Sequence, residues 1–148
     1  MSVRIIEKAC VVVKFFEGYR DKAYQDEGGV WTIGYGTTKG VNQGSTTTKE
    51  QALKLLEVDL VQRYNKLCKL IDISKYSDNE VVALLSFVYN LGFVDVFIGH
   101  LRTYNKSLIA SKILLYNKIR INGVLVESKG LVKRRQKEHR IFTGEESA

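Results

Sequence analysis

At 148 residues, with 45% hydrophobic and 26% charged side chains, the chain can fold as one domain or two small lobes, and its composition excludes wholesale disorder. Lys and Arg number 23 against 16 Asp and Glu, a net +7 that suits a polyanion partner: nucleic acid, anionic lipid or bacterial envelope polymer. No run approaches the roughly 20 apolar residues that a bilayer span needs. The two cysteines and two histidines fall in no metal-ligand, redox-pair or triad spacing.

Residues 3 to 16 place apolar side chains at Ile6, Ala9, Cys10, Val13 and Phe16, the stripe of an amphipathic helix, with Gly18 its expected stop. Glu17 is then expected at the helix end against apolar surface, a setting in which a carboxyl can serve as a general acid. The run from Ala9 to Phe16 is broken by Lys14 and lacks a small-residue cleavage site. It does not read as a signal peptide, so the product is expected to accumulate in the cytoplasm.

From Tyr19 to about Gly44, glycine, threonine and aromatics dominate without a helical period. This predicts two or three antiparallel strands, with Gly28-Gly29 turning the chain between Tyr24 and Val30-Trp31-Thr32-Ile33. Gly34, Gly36 and Gly40 precede no Gly-Lys-Ser/Thr, so a phosphate loop has little support.

Ser45-Thr46-Thr47-Thr48 opens a long helix, with Thr47 and Glu50 reading as a capping box. Its stripe of Ala52, Leu55, Leu56, Leu60, Tyr64, Leu67, Leu70 and Ile71 runs to about residue 72. At ~1.5 Å per residue such a helix spans about 39 Å, a strut between two lobes. Ser77 and Glu80 form a second capping box, opening a helix apolar nearly all round from Val81 to Leu91, as at the centre of a bundle, and ending at Gly92.

Shorter helices are expected around 93–98, 100–106 and 108–120, then a turn or small hairpin at Asn122-Gly123. A last helix over about 131–142 carries Lys133, Arg134, Arg135, Lys137 and Arg140, and residues 144–148 are expected to fray. Cys10 and Cys68 are expected in helices among apolar neighbours as free thiols, a disulfide between them not being favoured. The fold class is α+β, one domain over 1–148. It comprises a small antiparallel sheet lobe at about 17–46, a linking helix at about 47–72, and a helical lobe at about 73–148 on which helix 3–16 packs.

Glu17, Asp26 and Thr32, set in EGYRDKAYQDEGGVWTIGYG, put two acids of different surroundings near a hydroxyl. That trio, with Tyr89-Asn90-Leu91-Gly92 and with Gly130-Leu131-Val132-Lys133-Arg134-Arg135 followed by Glu138 and Phe142, resembles the phage-type lysozymes, glycoside hydrolase family 24. Taken singly, Asp26 reads as a turn residue, Thr32 as a strand threonine and Glu17 as a solvated helix end. Their joint spacing and the two later segments, in order along most of the chain, reverse that reading.

The resemblance implies a lysozyme-like two-lobed fold and a muramidase cutting the β-1,4 bond between N-acetylmuramic acid and N-acetylglucosamine, with no cofactor or metal. It implies Glu17 as general acid, Asp26 stabilising charge on the sugar and helping activate water, and Thr32 holding that water. Tyr89 and Asn90 would line the cleft, although core and capping roles compete evenly. Arg134 would pair with Glu17 or touch glycan, and Tyr35 would contact sugar at the lip. Carboxyl separation decides between inversion, at about 6.5–9.5 Å, and retention, at about 5–5.5 Å; a water-holding threonine leans towards inversion.

The family reading is a phage or prophage endolysin. It acts as a monomer on the peptidoglycan glycan strand, held in the host cytoplasm until a holin-like partner opens the inner membrane to the periplasmic wall. Two alternatives are a lytic transglycosylase using Glu17 alone, and a non-catalytic basic module binding glycan or nucleic acid. The last helix is nearly free of aromatics, which counts against a nucleic-acid partner. The chain departs from the family pattern at Thr37, where a histidine is common, at His100 for a serine, at Tyr116 for a tryptophan, and in a longer loop from Lys118 to Lys129.

Overall fold

A computed structural model describes residues 3–148. Its elements are α1 (Val3–Glu17), β1 (Arg20–Gln25), β2 (Trp31–Gly34), α2 (Lys49–Leu70), α3 (Asp78–Leu91), α4 (Asp95–Leu101), α5 (Lys106–Ile113), β3 (Lys118–Ile121), β4 (Val124–Glu127) and α6 (Lys129–Thr143). Strands β1 and β2 pair antiparallel, with Tyr24 opposite Thr32 and an irregularity between Arg20 and Tyr24. Strands β3 and β4 form a separate hairpin.

The helical lobe is built on α3, in which every residue from Val81 to Val88 is buried. Helices α1, α2 and α6 pack around it. A helix with no polar face must be covered on all sides, and this one is. Phe87 of α3 stacks on Phe97 with centroids 4.2 Å apart, and Tyr116 meets both rings edge-on.

Helix α2 is 22 residues, about 33 Å at ~1.5 Å per residue, and joins the sheet lobe to the helical lobe. Its N-cap is Thr48 with Gln51, not Thr47 with Glu50: three threonines in a row offer the same acceptor, and the chain takes the last. The Ser77 and Glu80 box closes in both directions as expected. Leu55 is exposed, on the outer side of the apolar stripe.

Three other expectations are corrected. The helix expected over 108–120 stops at Ile113, because 118–121 pairs with 124–127 across a turn in which Asn122 and Gly123 both take positive φ. The tail is held rather than frayed: Glu146 accepts from Lys137 Nζ at 2.6 Å, and its backbone N–H donates to the Arg140 carbonyl. Cys10 is buried but Cys68 is exposed, and both are free thiols. Among the described residues, no helix is long and apolar enough to cross a membrane.

Candidate active site

A groove of about 580 Å³ runs between the lobes. Glu17 reaches it from the end of α1, Asp26 from the β1–β2 turn and Thr32 from β2, so the three expected catalytic side chains share one cavity. Tyr89 and Asn90, at the end of α3, line it too. Asp59, Gln62, Arg63 and Lys66 of α2 complete the wall, with Tyr24, Lys39 and Phe93. The α2 residues were not singled out from sequence, yet their spacing marks a polar stripe on one helical face opposite the apolar one.

Asp26 Oδ1 accepts from the N–H groups of Gly28 and Val30, each at 2.9 Å, so its carboxylate also folds the turn that presents it. Thr32 is buried, and its hydroxyl donates to the Val30 carbonyl at 2.9 Å. With that proton committed, Oγ1 can serve a water in the groove only as an acceptor.

Glu17 is held by charge rather than by the apolar surface expected from sequence. Arg134 Nη1 donates to Glu17 Oε2 at 2.5 Å, and the guanidinium lies over the Phe16 ring. Arg134 is itself fixed by Glu138 Oε2 at 3.2 Å and the Ser86 carbonyl at 3.1 Å. Glu138, fully buried, also accepts from Ser86 Oγ and from Arg135 Nη1, both at 2.5 Å. Arg135 donates to the Tyr116 carbonyl at 2.7 Å and to Asn90 Oδ1. Burial pushes the Arg135 guanidinium down from its usual range, against the opposing pull of Glu138. Two arginines and two glutamates thus form a hydrogen-bonded cluster behind the groove, and each buried charge has an opposite partner.

Of the other expected contacts, Arg134 takes the Glu17 role and is not on the groove wall. The Asn90 carbonyl is engaged by Arg135 while the residue still lines the groove. Tyr35 is not among the residues lining this groove: its ring packs on Tyr19, and its carbonyl accepts from the Tyr89 hydroxyl at 2.6 Å. Burial and then the charges of Asp59 and Glu17 hold the Tyr89 phenol well above its usual range, so it remains a donor. Gly36, at φ +86°, brings backbone against the Glu17 carboxyl so closely that an added Cβ would lie 2.7 Å from Oε1 and force a shift. Among the described residues, no cluster of His, Cys, Asp or Glu could hold a metal ion.

The family model described as phage lysozyme matches residues 14–138, a span that includes both groove walls and the buried charge cluster. The chain belongs to the phage lysozyme family. An endolysin of Acyrthosiphon pisum secondary endosymbiont phage 1 is 34% identical over 144 residues, covering 95% of this chain and 98% of that protein. The solved endolysin of Escherichia coli O157:H7 phage FAHEc1 superposes with a TM-score of 0.83 at 34% identity, over 95% of this chain and 94% of that one. The muramidase domain of SpmX from Asticaccaulis excentricus superposes with a TM-score of 0.78 at 28% identity, over 95% of each chain. As a phage lysozyme, the chain is a glycoside hydrolase with the expected lysozyme-like α+β fold.

Proposed function

We propose that this endolysin hydrolyses the β-1,4 bond between N-acetylmuramic acid and N-acetylglucosamine in peptidoglycan, with Glu17 as general acid. The observation that carries the assignment is the groove itself, with Glu17 on the helical side and Asp26 and Thr32 on the sheet side. Glu17 gives its proton to the glycosidic oxygen as the bond to the anomeric carbon breaks, and the leaving sugar departs as a neutral alcohol. The glutamate is then an anion already facing the Arg134 guanidinium.

The sugar left behind carries oxocarbenium charge, which the Asp26 carboxylate stabilises across the groove. A water whose O–H donates to Thr32 Oγ1 adds to the anomeric carbon, and its other proton passes to Asp26. Proton exchange with solvent resets both acids. That both Asp26 and Thr32 line the groove favours hydrolysis over transglycosylation with Glu17 alone. The reading extends to a monomer, held in the host cytoplasm until a holin-like partner lets it reach the periplasmic wall.

Turbidity loss on outer-membrane-permeabilised cells tests the assignment. Glu17→Gln should slow clearing by about 10²–10⁴-fold, the usual worth of a general acid, and equal clearing by both proteins would remove Glu17 from that role. Mass spectrometry of the fragments should show reducing muramic ends; anhydro ends would assign transglycosylation instead.

A further inference from the structure

The β3–β4 hairpin carries a surface that the groove does not explain. Its register sets Ile119 opposite Val126 and Ile121 opposite Val124, so these four β-branched side chains share one face. Ile119 is half-buried, but the rest of the face stands in solvent: Val124 is 62% exposed, Ile121 49% and Val126 41%. Lys118 opposite Glu127 and Arg120 opposite Leu125 occupy the other face.

A two-stranded hairpin is marginal on its own, and an aliphatic face left in water adds nothing to hold it. The face offers no hydrogen-bonding group for a sugar. Its surroundings are basic: from residue 114 to 133 the chain has Lys118, Arg120, Lys129 and Lys133 against Glu127 alone. That charge disfavours a second copy of the same hairpin and matches an anionic layer. An aliphatic face backed by a basic one is the pattern that partitions into the headgroup boundary of an anionic membrane.

We propose that the β3–β4 hairpin docks this protein on an anionic lipid surface, with Ile121, Val124 and Val126 entering the headgroup boundary and the basic residues of the hairpin's other face and of the start of α6 drawing it to the charged layer. The proposal goes beyond the catalytic reading and does not rest on it. Docking would hold the enzyme at the membrane face bordering its polymer.

Co-sedimentation of the full chain with phosphatidylcholine vesicles, plain or doped with phosphatidylglycerol, tests it. The wild-type protein should pellet with the anionic vesicles and be released by salt. Substituting Ile121→Thr, Val124→Thr and Val126→Thr together keeps β-branching and the strand. This triple variant should bind about tenfold more weakly or worse, while its cleavage of solubilised peptidoglycan stays as in the wild type. Lys118→Gln with Lys129→Gln should reduce binding to the anionic vesicles alone. Equal wild-type binding to both vesicles, or unchanged binding by the triple variant, overturns the proposal. A wild-type dimer in sedimentation velocity that the triple variant breaks, without vesicle binding, would also overturn it and assign the face to a second copy.

Discussion

Replacing Gly36 by alanine separates backbone strain from placement of the acid. An ordinary contact to a Cβ begins near 3.4 Å, and the new methyl would stand 2.7 Å from Glu17 Oε1 and 2.9 Å from its Cδ. The carboxyl must therefore retreat by about 0.7 Å, against the Arg134 bond on its other oxygen. A 1 Å misplacement can cost about 10²-fold in rate, so a loss of about ten- to a hundredfold in kcat is expected. The positive φ adds strain of about 1–2 kcal/mol for any residue with a Cβ. Gly29→Ala is the control: φ is +79°, and an added Cβ meets nothing within 4 Å. Both variants should lose similar stability in urea denaturation, but only Gly36→Ala should lose clearing rate beyond its unfolded fraction. Equal activity of the two variants would refute the claim that Gly36 fixes the position of the acid.

Two further outcomes follow from buried groups. Glu138→Gln leaves two guanidinium groups with one carboxylate fewer and should cost about 3–5 kcal/mol; a loss near zero in urea denaturation would mean that the cluster does not hold α6 to α3. Burial, and then the charge of Glu57, pushes the Cys10 thiol up to about 11. The unfolded chain gives up that proton first, so stability present at neutral pH should fall as pH rises from about 9 through about 11. Cys10→Ala should flatten that part of the thermal-midpoint profile, whatever its effect on the plateau, and an unchanged slope would deny the thiol a role.

Much of the fold was readable because the deciding features are local. The unbroken apolar run of α3, the Ser77 and Glu80 box and the Asn122-Gly123 turn each impose their structure without help from distant chain. Errors fell where neighbours compete on equal terms. Thr47 and Thr48 differ only in which one the incoming loop places at the cap. Leu114-Leu115-Tyr116 continues a helical pattern that the pairing of β3 with β4 then ends.

In the site, Glu17, Asp26 and Thr32 were visible through joint spacing. Tyr35 was expected at the lip, and a tyrosine between glycines gives no hint that its carbonyl accepts from the Tyr89 hydroxyl. The family resemblance had Arg134 pairing with Glu17 or touching glycan, and the pairing is what the structure shows, but the burial of Arg135 was not expected. Glu138, three and four residues on, was the sign that the charge points inward, because a carboxylate at those offsets meets both arginines on one side of a helix.

The hydroxyl of Tyr89 spans from the end of α3 to the loop after β2. Glu17 is pinned to α6 on the helical side of the groove, whereas Asp26 and Thr32 stand on the sheet side. Any widening of the groove between those two sides must stretch or break that phenol bond. Tyr89→Phe should thus loosen the tie between the two sides while leaving Glu17, Asp26 and Thr32 unchanged. The spacing of Glu17 from Asp26 thus depends on a tie made outside either carboxyl.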